Sequence, residues 1–146
     1  MRQRGFAYIS GHAKQKNKPR KNVVIDGKEL TIASKNQNTI SVIVWNYHDD
    51  DIAGASSTVE LIVNGIRSSK MLVRHYRVDD QFSNSFEKWK IMGRPKQVTN
   101  GQYIELERAG QLQLYALPEW KNIDNEKAIL KFDLPRQGVS LIQLSW

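Results

Sequence analysis

The chain has 146 residues, enough for one domain with its own core. Apolar residues make up 40% and charged residues 25%, so the chain should fold without being core-rich. It has no cysteine, which excludes a disulfide framework, a thiol nucleophile and a Cys-ligated zinc.

The formal charge of +7 is unevenly placed. Seven basic residues, from Arg2 to Lys21, precede the first acid, Asp26, and beyond them the two signs balance. Residues 1–21 therefore read as a basic linker or N-terminal extension. The run GHAKQKNKPRKN has no interleaved aromatics and no amphipathic period. A solvated stretch is expected there, not a nucleic-acid or membrane contact. MRQRGFAYIS lacks the apolar run of a signal peptide, and no segment approaches the ~20 apolar residues of a membrane helix. A cytoplasmic location is the expectation.

From residue 22 to 146 the pattern is that of a single domain built from short β-branched runs between turn signals. VVIDGKELTIA reads as a hairpin about Asp26-Gly27, since an Asp-Gly pair accepts the positive φ values of a tight turn. TISVIVWNY (39–47) is a strong strand. STVELIVNG (57–65) alternates and then meets Asn64-Gly65, and KMLVRHYRV (70–78) follows. QLQLYAL (111–117), AILKFDL (128–134) and VSLIQLS (139–145) complete about eight strands. The fold class is all-β, an antiparallel sandwich.

Two strands are apolar on both faces. Val42, Ile43, Val44 and Trp45 run without alternation. In the last strand Val139 and Leu141 face one way while Ile142 and Leu144 face the other. A strand of an isolated sandwich should keep one wet face, so these are expected to be central, or to meet a larger partner.

A helical insertion over 83–109 interrupts the strands. In SNSFEKWKIMGRP, Asn84 is the N-cap with Glu87 at the third helical position. Phe86 and Trp89 share a face, Gly93 is the left-handed stop and Pro95 prevents continuation. In TNGQYIELERAGQ, Thr99 caps, Gln102 takes the third position and Gly110 is the stop. Helices this short are expected to pack on the sheet.

No catalytic set stands out. Asp49, Asp50 and Asp51 follow a strand and read as a solvated turn or interdomain hydrogen-bonding group, with a calcium site as rival. His12, His48 and His75 lack metal-ligand spacing, and there is no G-x-S-x-G elbow or P-loop. No metal and no cofactor are expected. The tryptophans and tyrosines read as core or interdomain packing, with a sugar platform as the alternative.

Three stretches carry a resemblance. VIVWNYHDDD (42–51), HYRVDDQFSNSFEKWKIMGRP (75–95) and LPRQGVSLIQL (134–144) resemble, in order and spacing, the C-terminal region of glycoside hydrolase family 39, specifically the bacterial β-xylosidases. One position departs from the pattern: the residue before Ser83-Asn84 is commonly His in that family and here is Phe82. The resemblance implies an accessory sandwich beside a (β/α)8 barrel that carries two catalytic glutamates. A barrel takes ~250 residues, so this chain is not expected to be an enzyme by itself. The implied partner is that barrel, in cis or in trans. A homo-oligomer contact and xylo-oligosaccharide binding are the alternatives. The candidate residues for sugar or interdomain contact are Trp45, Asn46, Tyr47, His48, Asp49 and Asp50 in the first stretch. In the second they are Tyr76, Arg77, Asp79, Ser83, Asn84 and Trp89.

Overall fold

Side-chain alternation decides how each strand is used. In the strand that begins at Thr39, Ile40, Val42, Val44 and Asn46 are buried while Ser41, Ile43 and Trp45 are not, the period-two signature of one covered face. The computed structural model describes residues 4–6, 23–26, 30–36, 38–47, 52 and 54–146. Its strands are β1 (Arg4–Phe6), β2 (Val23–Asp26), β3 (Leu30–Asn36), β4 (Thr39–Asn46), β5 (Ser57–Asn64) and β6 (Lys70–Val78). Helices α1 (Ser85–Ile91) and α2 (Asn100–Gly110) follow, then β7 (Gln113–Asn122), β8 (Lys127–Leu134) and β9 (Gly138–Ser145).

The strands form two antiparallel sheets, a four-stranded one in the order β1-β2-β5-β8 and a five-stranded one in the order β3-β4-β9-β6-β7. The expected antiparallel sandwich is present. Its core lies between the sheets, where Ile40, Val42, Val44, Val59, Leu61, Leu134, Ile142 and Leu144 are sealed from solvent. Burying each such side chain is worth about 1.5–3 kcal/mol.

Two expectations are corrected. The Asp26-Gly27 hairpin does not form, because β2 pairs with β5 in one sheet while β3 pairs with β4 in the other. Gly27 itself lies outside the described residues. Local turn preference was overridden by the long register of β3 on β4, from Leu30 opposite Trp45 to Asn36 opposite Thr39. Secondly, the helices, expected to pack on the sheet, pack chiefly on each other. Arg4–Phe6, within the stretch read as a basic linker or extension, form an edge strand on β2. The rest of residues 1–21 lies outside the described residues.

The helix caps stand as the residues suggest. Asn84 accepts from the Glu87 amide, and Thr99 with Gln102 completes a capping box. Gly93 takes φ +83 past the end of α1. Gly110 does something else: it is the last residue of α2, and a Cβ there would meet Ser85 Oγ at 3.4 Å. Its role is close approach of α2 to α1. The packing of the helices is chiefly on each other, and neither holds a buried residue. No described helix is long and apolar enough to cross a membrane.

The turn from β8 to β9 is tight. Gly138 N donates to Pro135 O at 3.1 Å, and a Cβ on Gly138 would sit 2.9 Å from that carbonyl and 3.1 Å from Leu134 Cδ1. Backbone and a buried leucine have little room to give. Gly138→Ala is expected to destabilise the domain by ~1–3 kcal/mol, read as a lowered midpoint in urea unfolding.

Candidate interdomain interface

One end of the outer face of the five-stranded sheet carries an apolar band, beyond which Ser41, Arg74 and Gln143 make the face polar. Ile43 stands opposite Leu141 and Trp45 opposite Val139 across β4 and β9. On the other side of β9, Tyr76 is registered with Leu141 and Val78 with Val139. None of these side chains is sealed as the inner face is: Trp45, Tyr76, Val78, Val139 and Leu141 are half-buried and Ile43 is exposed. At one end of this band Trp45, Asn46, Tyr47, Gln137, Gly138 and Val139 line an open hollow of about 250 Å³. Tyr47 is 69% exposed there.

Asn46 belongs to the opposite face. It is 3% exposed, and its Nδ2 donates to Leu134 O at 3.2 Å and to Ser57 Oγ at 3.3 Å. Its own carbonyl accepts from Gln137 N at 2.7 Å. This side chain ties β4 to both strands of the opposing sheet that lie above it. His48, Asp49, Asp50 and Asp51 lie outside the described residues, so the aspartate run has no placement.

The second motif is a structural knot. Arg77 is 2% exposed and points between the sheets. Its Nη2 donates to Asp133 O at 3.0 Å, its Nη1 lies 3.5 Å from Asp79 Oδ2, and its guanidinium sits 4.1 Å above the Tyr115 ring. Asp79 Oδ1 accepts from the amides of Gln81 and Phe82 at 2.8 and 2.9 Å. Asn84 Nδ2 donates back to Asp79 O at 2.7 Å while its Oδ1 caps α1. Ser83, at φ +53, accepts from Gln113 N at 2.8 Å and so ties the loop to the start of β7. Trp89 is half-buried, stacks on Phe86 and donates to Pro95 O at 3.0 Å. Phe82, the residue that departs from the family pattern, packs edge-on against Tyr115. Arg77, Asp79, Ser83, Asn84 and Trp89 thus shape the excursion from β6 through the helices. Trp45, Tyr47 and Tyr76 lie on the outer face.

His75 is a site residue that the pattern of the sequence did not expose. It faces the interior, its Nε2 2.9 Å from Ser140 Oγ, with Tyr115 and Phe132 against its ring. Burial, and then the Arg77 charge, push its imidazole down to about 4. Among the described residues no group of acids and histidines could hold a metal ion.

Known proteins share this fold. A β-xylosidase of Geobacillus stearothermophilus is 22% identical over 116 residues, which cover 80% of this chain and 22% of that protein. A glycoside hydrolase family 39 enzyme from Xanthomonas axonopodis pv. citri superposes with a TM-score of 0.69 at 11% identity, over 82% of this chain and 28% of its own. A β-xylosidase of Caulobacter crescentus gives 0.63 at 17% identity, over 83% and 28%. The chain is similar to the C-terminal sandwich region of family 39 glycoside hydrolases. No family model matches it. It spans about a quarter of the length of these family 39 relatives.

Two outcomes follow from the buried knot and the buried imidazole. Arg77→Ala strands Asp79 and the Asp133 carbonyl and is expected to cost about 3–5 kcal/mol, measured by urea unfolding. Because the folded-state pKa of His75 lies below its unfolded value, its contribution is full above pH 6.5 and is lost as pH falls toward 4. The thermal midpoint should therefore drop more between pH 7.5 and 4.5 in the wild type than in His75→Gln.

Proposed function

We propose that this chain is a non-catalytic accessory sandwich of a β-xylosidase-like glycoside hydrolase, supporting a catalytic barrel that lies outside it. The observation that carries this reading is the outer face of the five-stranded sheet. Ile43, Trp45, Leu141 and Val139 form an apolar band with no third layer over it among the described residues. Large apolar patches of this kind mark interaction surfaces. The similarity to minor parts of much longer glycosidases supports a barrel as the partner. Catalysis then belongs to the barrel, and the sandwich holds it and borders its site.

A sugar-binding module is the second reading, favoured only by the exposed Tyr47 beside Trp45 at the open hollow. One chimera and one titration separate them. The chain replaces the matching region of the Geobacillus stearothermophilus β-xylosidase, and hydrolysis of an aryl xyloside and the thermal midpoint are measured. The accessory reading expects an active chimera. It also expects Ile43→Lys with Leu141→Lys to lower the midpoint and activity of the chimera while leaving the isolated chain folded. Equal behaviour of the two chimeras would sink it. Saturable amide shifts at Trp45 and Tyr47 with xylobiose, and no dependence on the barrel, would establish the binding module instead.

A further inference from the structure

The two sheets do not end together. Over the interior, Arg77 and His75 of β6 reach Asp133 and Phe132 of β8, so β8 lies above β6. The five-stranded sheet continues one strand further, to β7. β7 therefore overhangs, and among the described residues no strand of the four-stranded sheet lies above its inner face. A cleft of about 230 Å³ opens there, lined by Tyr115, Leu117 and Glu119 on one side and by Ile129, Lys131 and Phe132 on the other. Leu117 lines this cleft and is still 88% exposed. With Tyr115 and Ile129, also exposed, it makes the cleft an apolar surface left open to water among the described residues.

The edge of β8 shows what kind of neighbour. Among the described residues β8 pairs with β5 alone. At one end of its free edge Lys127 exchanges hydrogen bonds with Asp124, and at the other Asp133 O is taken by Arg77. In an antiparallel ladder alternate residues turn their backbone groups to the same side. Ile129 and Lys131 therefore direct their amides and carbonyls to the open edge, between two closed ends. β8 has no proline and no bulge, two of the devices by which natural sheets protect such edges, and carries only the third, charged side chains at Lys127, Lys131 and Asp133. β7 differs in both respects: it contains Pro118, and its register on β6 shifts near His75.

We propose that the cleft takes an extended segment from outside this chain, which pairs with Ile129 and Lys131 as a further strand of the four-stranded sheet. Its alternate apolar side chains cover Leu117 and Tyr115, and its outward side chains are polar or acidic, facing Lys127 and Lys131 on the exposed face of β8, where Lys131 also pairs with Glu60 of β5 at 3.4 Å. The relatives that share this fold are about four times longer than the part they share, so chain is at hand to supply the segment. The proposal rests on the reading that the chain works within a larger protein, but it concerns a surface other than the Ile43–Leu141 band.

The test uses the whole labelled chain and a synthetic peptide of about six residues, the usual strand length, in which valine alternates with threonine and glutamate. The expected result is saturable amide shifts centred on Ile129 and Lys131, with slowed hydrogen exchange at those two amides. Leu117→Glu, at an exposed position that leaves the fold intact, should abolish the shifts, and a lysine-for-glutamate peptide should bind more weakly. Absence of shifts at millimolar peptide would overturn the proposal, as would shifts confined to the Trp45 face. A peptide-independent dimer that Ile129→Pro dissociates would give the cleft to a second copy and overturn it too. Each of these results leaves the chimera experiment free to succeed or fail by itself.

Discussion

A sheet that is apolar on both faces needs two partners, and this chain holds one of them. The four-stranded sheet covers the inner face of β4 and β9, where Val42, Val44, Ile142 and Leu144 are sealed. On the reverse, Ile43 and Trp45 meet Leu141 and Val139 and stay half-open to water. Ordinary antiparallel sandwiches wet their outer faces with polar residues. The departure here is concentrated on the central pair of strands, where a docking surface is held most rigidly. The architecture is thus complete as a fold and incomplete as a surface.

The two layers are held in register by polar side chains as well as by the apolar core. Asn46 at the end of β4 and Arg77 at the end of β6 lie on either side of β9 at the same end of the sheet and bind the adjacent carbonyls of Leu134 and Asp133 in the opposite sheet. Both are nearly inaccessible, so each hydrogen bond substitutes for a lost water contact. The Arg77–Asp79 pair has a further consequence. Asp79 spends its other oxygen on the Gln81 and Phe82 amides, which bends the chain toward Ser83 and Asn84 and starts α1. A charge pair buried between sheets thereby sets where the helical excursion begins. His75 beside it is held neutral near pH 7 by its partial burial and then by the Arg77 charge.

The relation to glycosidases explains the pattern without supplying an activity. Similar structures span most of this chain and only about a quarter of their own length, so a domain with this fold travels as part of something larger. An apolar outer band and a β8 edge without proline or bulge are liabilities in an isolated domain. They become contacts when the rest of a longer protein is present.

Most strands, their alternation and the helix N-caps are legible in the residues alone, because these depend on neighbours within a few positions. Asn84 with Glu87, and Thr99 with Gln102, place two helix starts from local hydrogen-bonding chemistry alone. The double apolarity of 42–45 was equally plain, and with it the need for a second partner. Which strand pairs with which was not local. The Asp26-Gly27 signal suggested a hairpin, and the chain instead sends β2 and β3 to different sheets. The motif residues divided in the same way. Trp45 and Tyr47 stayed on the surface, while Asn46, Arg77 and Asp79 became internal ties. That division appears only in the folded chain, because side-chain role follows from which sheet lies across the interior, and that is set by pairings far apart in the chain. The overhang of β7 past β8 has the same origin: it is a difference between two sheets that no single strand contains.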